Sequence, residues 1–154
     1  MNSSTKRVIE HCSNALNQGC ANLAQVIDRL GEAGIESCHA DYRIPALIFY
    51  APSGASYSLP LPACDKSIAN GFDHSALQHA LEVEHNGGMD FPEFTRRTLE
   101  AGCIGFFLWL EGWHATFLGR HGEIHDALLE GCDAHAASQL RLVCDEGRSV
   151  RRDT

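Results

Sequence analysis

The sequence predicts an α+β fold in which one helix–helix–strand–strand–strand unit occurs twice. The two units together would form an antiparallel sheet with helices packed on one face. Three observations predict this fold: an internal repeat, clear helix start and stop signals, and two segments with hairpin turns. The chain has 154 residues, of which 44% are hydrophobic, and this size and composition suit one domain with a core.

The internal repeat appears when residue numbers are shifted by 68. Over residues 2–65 the shift gives 12 identities without a gap, whereas ordinary composition would give roughly four by chance. We therefore predict a single duplicated domain over residues 1–133, with repeats at about 2–65 and 70–133, and a C-terminal extension at 134–154. The identical residues of the first copy are Asn2, His11, Gly19, Arg29, Glu32, Ala33, Gly34, Phe49, Gly54, Leu61, Cys64 and Asp65.

Two helices begin each copy. The first is predicted at about 5–17 and again at 74–86. The second helix of copy two starts at "MDFPEF", where Asp90 is the predicted N-cap and Glu93 the third helical residue. Asn22 occupies the N-cap position in copy one. Both second helices end at "EAG", where Gly34 and Gly102 can adopt the left-handed conformation that ends a helix.

Three strands are predicted to follow in each copy. "CIGFFLWL" is apolar on both faces, so we expect a central strand covered on both sides. Its counterpart "IESCHADY" alternates more and is predicted to lie nearer an edge or solvent. "PALIFYAPSGASYSLPL" and "WHATFLGRHGEIHDALL" are typical of hairpins, with Gly54 and Gly122 in their turns.

The overall charge restricts the classes of partner. The formal net charge is −8, and an acidic surface repels nucleic-acid phosphates and anionic lipid. We therefore expect neither nucleic acid nor membrane as a partner. The seven cysteines form no C-x-x-C pair, and the N-terminal residues carry no apolar export signal. These features predict a cytoplasmic protein with free thiols.

The segment "GRHGEIHD" is the main candidate for chemistry. In a strand, His121, Glu123 and His125 would form one row, because alternate residues share a face. A two-residue turn would pair Leu118 with Glu123 and Thr116 with His125, which would bring His114 near His125. A glycine bulge at Gly122 would shift this register by one residue. The alternative to a site is a polar strand face exposed to water.

Three kinds of site are compatible with this hairpin. Glu123 and His125 are the candidate acid/base pair, and His121 and His125 are the candidate metal ligands, with zinc as the optional ion. Otherwise no cofactor is expected. A polar–aromatic ligand pocket, on the sheet face or at the seam of the repeats, would have an apolar wall with a few convergent polar groups. Its predicted members are Tyr50, Tyr57, His114, Arg120, Glu123 and His125.

The segment "EAGCIGFFLWLEGWHATFLGRHGEIHDALL" resembles the YdfO-like family of small bacterial and prophage-associated proteins, sometimes labelled phage envelope proteins. The resemblance implies an α+β fold and no established activity. Trp113 stands where the family more often has an arginine, and "ALLEG" replaces the usual ending. The residues that carry the resemblance are Ala101, Gly102, Cys103, Gly112, Phe117, Gly119, Arg120, Glu123 and His125.

The sequence leaves three functions open. The first is a binding or interaction module for a small molecule or peptide. The second is a hydrolase- or isomerase-like enzyme that uses Glu123 and His125, with or without a metal. The third is an acidic factor that docks on a phage or host protein. The partner is therefore a small molecule or a protein, and a homodimer is possible.

Overall fold

The computed structural model describes residues 1–129. The end of the second predicted repeat and the predicted extension at 134–154 lie outside these residues. The elements in chain order are α1 (Ser3–Asn17), α2 (Leu23–Glu32), β1 (Ser37–Asp41), β2 (Ala46–Tyr50), β3 (Ser56–Pro60), α3 (His74–His85), α4 (Phe91–Glu100), β4 (Cys103–Trp109), β5 (His114–Gly119) and β6 (Ile124–Leu128).

The six strands form one antiparallel sheet in the order β3-β2-β1-β4-β5-β6. The predicted α+β class is therefore confirmed, and both halves have the predicted order of two helices and three strands. The central pair, β1 and β4, joins the halves. Its middle residues are His39 and Phe107, which occupy equivalent positions in the two repeats. An approximate twofold axis thus passes between these two residues.

The helix start signals work as the sequence predicts. The Asn22 side chain accepts a hydrogen bond from the Gln25 backbone N–H, and the Gln25 side chain accepts one from the Asn22 N–H. The Asp90 side chain accepts from the Glu93 N–H at 3.0 Å. Each bond satisfies a helix N–H that has no partner within the helix. These caps fix where α2 and α4 begin, and hence which of their faces meets the sheet.

The core lies between the helices and one face of the sheet. Phe94 of α4 is fully buried and packs its ring edge-on against Phe106 of β4 and Phe117 of β5, at centroid distances of 6.3 and 6.0 Å. The equivalent positions in the first half are Val26, Cys38 and Phe49, so the core of the second half is the more aromatic one. Such rings bury large apolar areas and dominate core energetics.

Two predictions about individual strands are wrong. β1 is a central strand rather than a near-edge one, because it pairs with both β2 and β4. β4 is central as predicted, but the helices cover only one of its faces. On the other face Phe107 and Trp109 are partly exposed. Their rings stack on each other at 5.0 Å, so these side chains shield one another where no second layer does.

The linker between the halves packs tightly on the second repeat. The Asp73 N–H donates to the Ala101 carbonyl oxygen, and the Ala69 N–H donates to the Leu99 carbonyl oxygen. A Cβ atom at Gly102 would collide with the Gly71 carbonyl oxygen.

Two further features concern the described residues as a whole. None of the helices within residues 1–129 is long and apolar enough to cross a membrane. The five cysteines in this part of the chain are free thiols, whereas Cys132 and Cys144 lie outside it.

Equivalent glycines in the two repeats provide a matched test of this packing. Gly34 and Gly102 both have positive φ, 86° and 93°, but only Gly102 faces the linker backbone. We expect Gly34→Ala to lower the free energy of unfolding by about 1 kcal/mol, the cost of left-handed backbone. Gly102→Ala should cost at least about 3 kcal/mol, since steric collision adds to that strain. Urea unfolding of both variants measures the difference, and equal losses would contradict the described linker contact.

Candidate functional site

The β5–β6 turn adopts the bulged register. Gly122 has φ +86°, and the Gly119 N–H donates to the Glu123 carbonyl oxygen at 2.9 Å, so three residues form the loop. Phe117 therefore pairs with His125, and Leu118 pairs with Ile124. Of the two registers that the sequence leaves open, the structure has the one shifted by the glycine bulge, so Leu118 does not pair with Glu123.

This register places His125 on the helix side of the sheet, since paired residues share a face and Phe117 is in the core. The His125 Nδ1 atom lies 3.1 Å from His74 Nδ1, and its Nε2 atom lies 3.0 Å from Gln78 Oε1. Partial burial, followed by the nearby His74 ring, lowers the pKa of His125. The contact therefore favours a neutral imidazole.

Glu123, His121 and Arg120 make contacts within and around the turn. The Glu123 carboxylate accepts the His121 backbone N–H at 2.9 Å and lies 3.7 Å from His121 Nδ1. Hydrogen bonds from the backbone N–H groups of Glu123 and His121 lower the pKa of this carboxyl group. Arg120 donates to the Ile68 carbonyl oxygen at 3.0 Å, which ties the turn to the linker. These contacts stabilise the turn itself.

The six residues predicted to line one pocket do not converge. His114 and Tyr50 lie on the face without helices, whereas His125 and Tyr57 lie on the helix side. The prediction that His114 lies near His125 on one face is therefore wrong. In the metal hypothesis His121 was the partner of His125, but the structure instead brings His74 to it.

Tyr57 and His125 nevertheless occupy equivalent positions and make equivalent contacts. The Tyr57 hydroxyl donates to Glu10 of α1, and the Lys6 ammonium lies 5.2 Å from the centre of the Tyr57 ring. At an offset of 68, Lys6, Glu10 and Tyr57 become His74, Gln78 and His125. We call the second set the edge cluster. In each half, such a contact fastens the outer strand to the first helix.

The sheet face without helices aligns side chains from all six strands. We call it the open face and define it by alternate residues of all six strands. At its centre the His39 ring stacks on Phe107 at 4.2 Å with an interplanar angle of 5°, and Phe107 stacks on Trp109. Burial lowers the pKa of His39, which favours the neutral imidazole in this stack. Within residues 1–129, no helix covers these rings.

A chain of hydrogen bonds holds the end of the ring stack. The Trp109 indole N–H donates to the Thr116 hydroxyl at 2.9 Å, and that hydroxyl donates to Asp126 at 2.6 Å. This chain crosses β4, β5 and β6 and orients the indole. His39, Thr116 and Asp126 are absent from the site predicted from the sequence. The available signal was the alternation within "CIGFFLWL", which places Phe107 and Trp109 on one face.

Large apolar side chains extend the open face to the outer strand. Ile124 and Leu128 of β6 are 55% and 65% exposed. The open-face positions in the six strands include no lysine or arginine. They are Ser37, His39, Asp41, Ala46, Ile48, Tyr50, Ser56, Ser58, Pro60, Gly105, Phe107, Trp109, His114, Thr116, Leu118, Ile124, Asp126 and Leu128.

A separate cleft lies between the helices of the two halves. It has a volume of about 550 Å³ and is lined by the α1–α2 and α3–α4 connections, including Cys20, Asn22 and Glu84. Glu84 is 3% exposed, and its carboxylate accepts the Leu23 N–H of α2 at 2.8 Å. Burial raises the pKa of Glu84 to about 7, although the Leu23 hydrogen bond opposes the shift.

A metal centre with three or more protein ligands is absent from the part of the chain that the structure describes. No protein-family model matches the chain. A comparison with curated proteins also gives no match. The resemblance to the YdfO-like family therefore stays a prediction.

Glu84 gives a prediction for the pH dependence of stability. Its pKa is about 7 in the folded protein and near 4.5 when exposed, so the folded state binds the extra proton between these values. Its contribution to the free energy of unfolding should be greatest below pH 4.5. It should fall by roughly 3 kcal/mol as the pH rises to above 7. Glu84→Gln keeps an acceptor for Leu23 but cannot ionise.

Denaturant unfolding from pH 4.5 to 8.5 measures this effect. The stability of the wild type relative to Glu84→Gln should decline over this range. Glu82→Gln, an exposed substitution on the same helix, is the control and should show a constant difference. A constant difference for Glu84→Gln as well would show that Glu84 is not buried as described.

Proposed function

We propose that the protein is an interaction module whose open face binds a polypeptide segment with apolar and basic side chains. The observation that carries this proposal is the ring stack of His39, Phe107 and Trp109, which no helix within residues 1–129 covers. Aromatic side chains held in one orientation contribute most to binding at interfaces, because little entropy is lost when the partner arrives. The Trp109–Thr116–Asp126 hydrogen bonds supply that orientation.

The chemistry of the open face favours a polypeptide over nucleic acid. Stacked rings on a sheet suit exposed bases, but nucleic-acid binding also requires cations for the phosphates. The open face carries Asp41 and Asp126 and no lysine or arginine, and the chain has a net charge of −8. A lysine or arginine in a peptide would complement Asp126, while apolar side chains would cover Ile124 and Leu128.

The shape of the molecule favours a polypeptide over a small ligand. Two cavities of about 470 and 550 Å³ are lined by helices and connecting loops rather than by the ring stack. An open sheet face with exposed apolar side chains suits an extended partner better than an enclosed metabolite. The free thiols of the described residues are consistent with a cytoplasmic site of action, which we include in the proposal.

The geometry gives less support to catalysis. An acid/base pair needs both groups within reach of one substrate. Glu123 bonds to the turn backbone, and His125 bonds to α3. The Glu123 and His125 side chains therefore bond to different parts of the structure and do not face one substrate.

Selection from a displayed random peptide library tests the proposal. The affinities of the enriched peptides should fall about tenfold for Leu128→Ser and for Ile124→Ser, since each change removes an apolar contact of roughly 1.4 kcal/mol. Ile44→Ser is the matched control, because Ile44 is 62% exposed but lies in the β1–β2 turn. Its affinity should stay within about twofold of wild type.

Two results would contradict the proposal. One is a set of peptides that binds all variants equally or maps by NMR shifts to the helices. The other is the absence of any enriched peptide that depends on Leu128.

If size-exclusion chromatography shows a wild-type dimer that Leu128→Ser converts to a monomer, the occupant of the open face is a second copy of the chain.

A further inference from the structure

We propose that His74 and His125 of the edge cluster form a two-histidine site for a divalent transition-metal ion such as Zn²⁺ or Ni²⁺. The Nδ1 atoms of the two rings would be the ligands, and water or a group from a bound molecule would complete the coordination. The site is independent of the open face, because the edge cluster lies on the helix side of the sheet.

The distance between the two nitrogens suits a shared ion. Metal–nitrogen bonds of roughly 2.0–2.1 Å place two ligands about 2.9 Å apart at a right angle and about 3.3 Å apart in a tetrahedron. The His74 and His125 Nδ1 atoms are 3.1 Å apart, which lies between these values. To bind one ion, both rings must turn so that each Nδ1 lone pair points to the ion rather than to the other nitrogen.

Gln78 orients the His125 ring through a hydrogen bond to its Nε2 atom. Its Oε1 atom lies 3.0 Å from His125 Nε2, and a carbonyl oxygen can only accept, so Nε2 carries the proton. The Nδ1 lone pair of His125 then points towards His74. Metal-binding histidines commonly donate the distant ring N–H to a carbonyl oxygen in this way. Gln78 and His74 are four residues apart on α3, so one helix face positions both.

The second ligand is also held in place. The Phe72 ring packs edge-on against His74 at a centroid distance of 4.8 Å. With the proton of His125 on Nε2, the 3.1 Å contact between the two Nδ1 atoms requires His74 Nδ1–H to be the donor. Metal binding would require the His74 proton to move from Nδ1 to Nε2, which leaves the ring neutral. Among the described residues, no histidine, cysteine, aspartate or glutamate adds a third ligand, so we expect weaker binding than at a structural zinc site.

The first repeat shows that fastening the edge strand does not by itself require histidines. The equivalent residues Lys6, Glu10 and Tyr57 make the same kind of contact with an ammonium group and a phenol. The second repeat has two imidazoles and an amide in these places. The second repeat therefore keeps the contact between the outer strand and the first helix, and its two imidazoles also supply two nitrogens that can bind a metal.

Isothermal titration of the full chain with Zn²⁺ and Ni²⁺ tests the site. We expect saturable binding of one ion that weakens at least tenfold in His74→Ala and in His125→Ala. Gln78→Ala should weaken it roughly tenfold, as for other outer-shell partners. His79→Ala on the same helix and His121→Ala in the same hairpin are the controls and should stay within about twofold. These comparisons also separate the site from binding by exposed thiols.

A spectroscopic measurement keeps the proposal testable if a variant folds poorly. The imidazole ¹⁵N resonances of the wild type should shift on Zn²⁺ addition for Nδ1 of His74 and His125, and those of His79 should not. Unchanged Nδ1 resonances would overturn the proposal. So would binding that both histidine variants retain, or the absence of saturable binding to the wild type.

Discussion

The pairing of β1 with β4 is the interaction on which the rest of the structure depends. Every other strand pair is a hairpin between chain neighbours, so this pair alone joins the two three-stranded units into one sheet. It must form across a long stretch of chain, which carries a loop-closure cost. Burial of the shared core beneath this strand pair offsets that cost. Because His39 and Phe107 meet at its centre, the two halves stand in nearly symmetric positions.

Features that depend on local backbone geometry can be predicted from the sequence, whereas features that depend on how the two units meet cannot. Local backbone geometry determines where the second helix of each half begins and ends, so both ends leave signals in the sequence. The helices begin after Asn22 and Asp90 and end at Gly34 and Gly102. The order of elements follows from these signals and from the repeat. The position of β1 at the centre depends on which edges of the two units meet. No local pattern in "IESCHADY" reports that choice.

The candidate site shows how one backbone torsion can redirect a prediction. The sequence predicts that Gly122 is a turn residue, but it permits either a two-residue turn or a bulge. The positive φ of Gly122 selects the bulge, and the one-residue shift moves His125 to the opposite face from His114. A tertiary contact then becomes possible that no spacing could reveal, since His74 is 51 residues away. The role of His74 therefore emerges only from the folded chain.

The two halves share a framework but differ in what they present at its surface. At equivalent places the first half has Ile48 and Tyr57, and the second has Thr116 and His125. The shared fold requires only that one side chain of each outer strand contacts the first helix of its half and that the strands stay paired. Positions that face outward are free to differ once that need is met. The asymmetric residues are therefore the ones most informative about function. They include Trp109 and Asp126 on the open face and both histidines of the edge cluster.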